Sequence, residues 1–174
     1  MSLIAISYPK ISQSDFDWIQ SLRKKYDKDG YRLLNLHFTL IFPIEKIKQE
    51  KFIDHIRPKI QNCHKIQFEL NRFKLCSKPF ERKWFIFLVP EKGKNEISKL
   101  HDILYSELLA PELSLDYPFD PHITIGCLED KNRCLDIIED LNKNDFSVYG
   151  QIDFIDAAAY ENDIVMTIEK IKLK

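Results

Sequence analysis

Two short segments of this chain carry a histidine followed two residues later by a threonine: Leu36-His37-Phe38-Thr39-Leu40 and Pro121-His122-Ile123-Thr124-Ile125. Each reads as β-strand, the first in the apolar run Leu34 to Phe42, closed by Pro43, and the second in the run Pro121 to Leu128. Strand side chains alternate between faces, so His37 and Thr39 project together while Phe38 and Leu40 point the other way. His122 and Thr124 likewise share a face, opposite Ile123 and Ile125. Each segment therefore offers an imidazole and a hydroxyl side by side, backed by apolar side chains that a core can anchor. The chain holds only three threonines and five histidines. Independent placement would produce two such pairs on the order of a few times in a thousand.

Histidine titrates near about 6.5, so at neutral pH one ring can be neutral while another is protonated. Two rings facing one cleft are the equipment for concerted general acid–base catalysis. Threonine hydroxyls beside them can donate hydrogen bonds to the non-bridging oxygens of a phosphate held between the rings. Such chemistry on a phosphodiester needs neither a metal nor a covalent nucleophile. His37 and His122 are accordingly the candidate catalytic residues, and Thr39 and Thr124 the candidate substrate-binding residues. No metal and no cofactor is expected.

The segments fall at matching points of a repeated order of elements. Leu3 to Tyr8 reads as a short buried strand stopped by Pro9. Ser14-Asp15-Phe16-Asp17 fits a helix start, and Phe16, Ile19, Leu22 and Tyr26 follow at near-helical spacing. Arg23, Lys24 and Lys25 fall near the helix end, where they suit its dipole, and Asp29-Gly30 is expected to break it. A helix from about 46 to 63, a strand with one wet face at 65–71 and a central strand, Trp84 to Val89, ended by Pro90, follow. Ile97, Leu100, Leu104 and Leu108 mark another helix, Cys134, Leu135, Ile138 and Leu141 a further one. Two long strands, about 147–157 and 164–173, close the chain. The same order starts near Leu3 and again near Trp84, which predicts one domain of two similar lobes, about 1–82 and 83–174, with strands free to cross between them.

Of the 174 residues 44% are hydrophobic and 30% charged, which excludes disordered and fibrous classes. The formal net charge of -1 argues against a protein that coats long nucleic acid and leaves a small anionic substrate or a polynucleotide end. The longest apolar run, Trp84 to Val89, is too short to span a bilayer, and the N-terminus lacks the basic start of a signal peptide. Cys63, Cys76, Cys127 and Cys134 form no C-x-x-C pair. These features predict a cytoplasmic monomer with reduced thiols and no membrane partner. There is no H-x-x-x-H or H-x-H for zinc, no phosphate-binding loop for ATP-driven ligation and no G-x-S-x-G elbow for a serine hydrolase. His55, His64 and His101 have no threonine partner and read as surface or packing residues. The pairs Lys24/Lys25 and Lys92/Lys94 read as solvated helix ends. Arg82 and Lys83 are placed to reach the cleft mouth, though solvation explains them better, and Tyr117 and Phe119 to stack a base, though loop packing explains them at least as well, so none joins the candidate site.

The two motifs resemble the paired H-x-T/S-x motifs of the 2H phosphoesterase superfamily, which includes LigT-like 2′-5′ RNA ligases and 2′,3′-cyclic nucleotide phosphodiesterases. Phe119-Asp120-Pro121-His122-Ile123-Thr124-Ile125-Gly126 is especially similar to the second motif of bacterial members. The resemblance implies a bilobal α+β fold, a pseudo-two-fold duplication in which two antiparallel sheets face a central cleft with helices outside. It also implies metal-independent chemistry on a nucleotide or RNA-end phosphodiester. Three activities fit: hydrolysis of a 2′,3′-cyclic phosphate or a 2′,5′ linkage, 2′-5′ ligation as the reverse step, and phosphate or RNA-end binding without turnover.

Overall fold

The structure is a computed structural model that describes residues 1–77, 82–115 and 118–174. Within them, nine strands form two antiparallel sheets. The first is ordered β3 (Phe38–Ile44), β1 (Ser2–Ser7), β8 (Phe154–Glu161), β9 (Ile164–Lys172). The second is ordered β2 (Lys10–Ile11), β7 (Val148–Ile152), β4 (Ile66–Ser77), β5 (Trp84–Lys92), β6 (Ile123–Leu128). The helices are α1 (Gln13–Tyr26), α2 (Lys28–Leu33), α3 (Gln49–Gln61), α4 (Lys94–Leu104) and α5 (Lys131–Asn142), with a 3₁₀ turn at Glu107–Glu112. Helix α1 lies against β6, α3 against β9, α4 against β3, and α5 against β4, β5 and β6. This is the α+β two-sheet class that the motifs imply. No helix among the described residues is long and apolar enough to cross a membrane.

Strand β1 is buried along its whole length because it is covered on both faces. Leu3 and Ala5 join the main core with Phe52, Ile53, Ile56 and Ile60 of α3 and Ile97, Leu100 and Leu104 of α4. Ile4 and Ile6, on the opposite face, form a separate small cluster with Ala158, flanked by Leu34, Tyr160 and Val165. Full burial of such a side chain stabilises by about 1.5–3 kcal/mol, which makes this central strand the natural platform for its neighbours.

Each sheet draws strands from both halves of the chain. Strands β4 and β5, on either side of the 78–84 boundary, are hydrogen-bonded neighbours. The two closing strands of the sequence reading are three: β7 joins the second sheet, while β8 crosses back beside β1 and β9 pairs with β8. An apolar strand sequence reports burial and does not name a partner. Two breakers also act differently from expectation. Pro43 lies within β3, tolerated because β3 is an edge strand, and Pro90 lies within β5 opposite Leu70, at a shift in register. Asp29-Gly30 does not end the helical path, which resumes as α2. A Cβ on Gly30 would stand 2.2 Å from an Asp27 carboxylate oxygen, so this glycine permits a close approach rather than a break. Leu108, expected on α4, falls in the 3₁₀ turn beyond it.

Candidate active site

Strands β3 and β6, which carry the two motifs, are both sheet edges, one in each sheet. In each, the histidine stands immediately before the first strand residue. Phe38, Leu40, Ile123 and Ile125 are buried in the core, and His37, Thr39, His122 and Thr124 line one cavity of about 980 Å³. The alternation of faces read from the sequence is thus the alternation present. Both ladders also carry a register shift at the same motif position. Ile6 opposes Thr39 and Ala5 opposes Ile41, so Leu40 is supernumerary. Phe87 opposes Thr124 and Ile86 opposes Gly126, so Ile125 is supernumerary. These are bulges, a device that bends a strand and re-aims its side chains. Ile6 and Phe87, opposite the two threonines, line the cavity as well.

The imidazoles are held in the same way. The Nδ1–H of His37 donates to the carbonyl of Asn35 at 2.7 Å, and that of His122 to the carbonyl of Asp120 at 2.7 Å. A carbonyl can only accept, so Nδ1 carries the proton of this contact in each ring. Tyr8 meets the His37 ring edge-on at 6.3 Å, and Phe87 stacks on the His122 ring at 3.5 Å. Packing around the partly buried His37 reduces its hydration and pushes its pKa down to about 4; the Asn35 hydrogen bond opposes the shift and the positive charge of Arg23 adds to it. His37 is therefore neutral at pH 7.

Several supporting residues carry no distinctive motif. Lys74 of β4 and Lys94 at the start of α4 each approach the Asp120 carboxylate at 2.8 Å. Burial would raise the Asp120 pKa, but hydrogen bonds from the two ammonium groups outweigh it and hold the carboxylate below its ordinary value. Lys94, read as a solvated helix end, is thus a cavity-lining residue, and Lys92 pairs with Glu69 across the sheet. Arg23, read as a helix-end charge suited to the dipole, is buried at 1% exposure. Its sequence signal was its phase, since it lies four residues after the buried Ile19 on one helical face. Arg82 and Lys83 are exposed, and the lysines lining the cavity among the described residues are Lys74 and Lys94. Tyr117 lies outside the described residues, and Phe119 stacks on the buried His101 at 3.8 Å, with both rings lining the cavity. His55 packs, its Nε2 3.1 Å from the Leu104 carbonyl, and His64 is exposed. Among the described residues, no three His, Cys, Asp or Glu side chains converge as metal ligands would.

Proteins of known structure share this architecture. Escherichia coli LigT complexed with NADP+ superposes with a TM-score of 0.58 at 14% identity, over 99% of this chain and 97% of that one. TT0787 of Thermus thermophilus gives 0.62 at 14% identity, over 99% and 97%. Kluyveromyces marxianus Usb1 with uridine monophosphate gives 0.58 at 10% identity, over 99% and 98%. At such identities the likeness defines the fold, which is of the LigT type. Residues 9–163 match the 2′-5′ RNA ligase superfamily, and the chain belongs to that superfamily of 2H phosphoesterases. No curated protein matches the sequence.

Proposed function

We propose that the protein is a metal-independent phosphodiesterase that opens 2′,3′-cyclic phosphates or cleaves 2′,5′ linkages at nucleotide or RNA ends. The observation that carries this reading is the doubled arrangement around one cavity: two imidazoles, each fixed through Nδ1 by the carbonyl two residues earlier, each with a threonine beside it. A phosphate between the rings would take hydrogen bonds from Thr39 and Thr124. His37, neutral at pH 7, removes the proton from the attacking water, and His122 protonates the departing ribose oxygen. The reverse step exchanges the two roles, which is how the same residues would support 2′-5′ ligation. A cavity of about 980 Å³ suits a nucleotide-sized ligand. LigT and Usb1 have both been solved with nucleotides, the ligand class proposed here.

Single-turnover assays with a nucleoside 2′,3′-cyclic phosphate, a 2′,5′ dinucleotide and RNA half-molecules test the proposal. Hydrolysis that survives EDTA supports it, and joining of the half-molecules assigns the ligase direction. Phosphate binding with no turnover of any substrate overturns it in favour of a binding module. Activity lost to EDTA and restored by a divalent ion overturns the two-histidine mechanism.

A further inference from the structure

Strands β3 and β6 belong to different sheets, and among the described residues no ladder pairs one with the other. Sheet hydrogen bonding therefore does not set the separation of His37 and His122. Two helices span the gap: α4, which packs on β3 and pairs through Lys94 with Asp120, and α1, which bonds the main chain of both motif segments. Helix α1 packs on β6 so closely that a Cβ on Gly126 would meet the Cβ of Tyr26 at 3.2 Å. From this helix the buried Arg23 donates through Nε to the carbonyl of Thr124 at 3.2 Å and through Nη1 to the carbonyl of Leu34 at 2.8 Å. Gln20, one turn earlier, accepts on Oε1 from both Arg23 Nη1 (2.8 Å) and the Leu36 N–H (3.1 Å). Its Nε2 donates to the Asn35 side chain at 3.0 Å, and the Asn35 carbonyl fixes the His37 ring.

We infer that Arg23 is a positioning residue: its guanidinium ties the second motif at Thr124 to the segment leading into His37, and so fixes the spacing of the two imidazoles. The inference rests on reading His37 and His122 as an acid–base pair. Burying a guanidinium is costly unless its N–H groups are met. Here they are met chiefly by main-chain carbonyls of the two catalytic segments, while Asp27 stands back at 3.8 Å from Nη2. An apolar residue would fill this helix face without that cost, as Ile19 does one turn before. A planar fork that reaches two carbonyls at once is something lysine cannot supply.

The test compares Arg23→Met in the wild-type protein and in a His122→Ala background, with adenosine 2′,3′-cyclic phosphate as substrate. A displacement of about 1 Å between reacting groups costs ~10²-fold, so kcat should fall by about that factor while KM stays within roughly threefold. In the His122→Ala background the remaining ring has no partner to be spaced from, and the same substitution should change the residual rate by less than about twofold. An equal factor in both backgrounds, or an unchanged kcat in the wild-type background, overturns the inference. Should Arg23→Met fail to fold, Arg23→Lys takes its place with the same expected pattern. If wild type and His122→Ala turn over equally, the acid–base reading has failed, and histidine Hε1 resonances then decide the positioning role alone. Arg23→Met or Arg23→Lys should shift both His37 and His122, and Gln20→Ala should shift His37 only. Resonances unmoved in the Arg23 variants overturn the inference whatever the activity.

Discussion

Around His37 the immediate supports are neutral, with the buried Arg23 guanidinium behind them: an amide pair, Gln20 with Asn35, holds the segment whose carbonyl orients the ring, and Tyr8 meets the ring edge-on. Around His122 they are charged: Lys74 and Lys94 hold Asp120, whose carbonyl orients the ring, and Phe87 lies flat on it. The backbone solution is the same in both places, down to the 2.7 Å contact from Nδ1 and the supernumerary residue after each threonine. The comparison teaches that ring orientation is the repeated feature and electrostatics the divergent one. Different surroundings are one way to hold two rings in different protonation states, as a concerted acid–base pair requires.

The largest effect should come from removing either ring. Alanine at His37 or at His122 is expected to lower kcat by ~10²–10⁴-fold with little change in KM, and the double variant should lose far less than the product of the two. Near wild-type turnover in one folded single variant would break the comparison by making one motif idle. Thr39→Val and Thr124→Val should each cost ~10²–10³-fold as the loss of one transition-state donor. A threonine whose loss is tenfold milder would identify the side where the phosphate rests less.

The difference in supports gives a smaller and sharper test. Exposed ion pairs are worth ~1 kcal/mol or less each and are screened by salt, so Asp120→Asn should cost at most roughly tenfold in kcat. Raising ionic strength should erode the wild-type rate, and should leave Asp120→Asn unaffected. Gln20→Ala should keep the wild-type salt dependence, since the Arg23 guanidinium that Gln20 meets is buried and little screened.

A separate effect concerns stability rather than rate. His37 has a folded pKa of about 4, below its unfolded value near 6.5, so between these values the unfolded chain binds the extra proton. The stabilisation is present above pH 6.5 and is lost as pH falls towards 4. Denaturant titrations over that window should show stability falling with pH more steeply in wild type than in His37→Gln, and equal slopes would contradict the lowered His37 pKa.

That each histidine and its threonine would face the same way was legible because strand alternation is local: His37 and Thr39 share a face whatever sheet they join. The burial of Phe38, Leu40, Ile123 and Ile125 was legible for the same reason. Partner choice was not, since nothing in the sequence of β8 or β9 states that each crosses to the sheet of β1. Arg23 hid among Lys24 and Lys25, where composition suggested a solvated helix end and only helical phase pointed inwards. Gly30 misled through the usual meaning of glycine as a breaker, when its use is to admit the Asp27 carboxylate. Lys74 and Lys94 lie far from Asp120 in the chain, and their convergence exists only in three dimensions.

The bulges at Leu40 and Ile125 bear on how the protein reaches this state. A strand slipped by one residue would regain the ladder contacts that the extra residue interrupts, while turning its histidine and threonine inwards and its apolar side chains out to the cavity. Every folding chain meets that competitor twice, once on each edge strand. What rejects it is the burial of Phe38, Leu40 and Ile41 at one edge and of Ile123 and Ile125 at the other. The apolar half of each motif therefore acts as a proofreading device: it discards the register in which the strands would be well paired and the histidines and threonines turned away from the cavity.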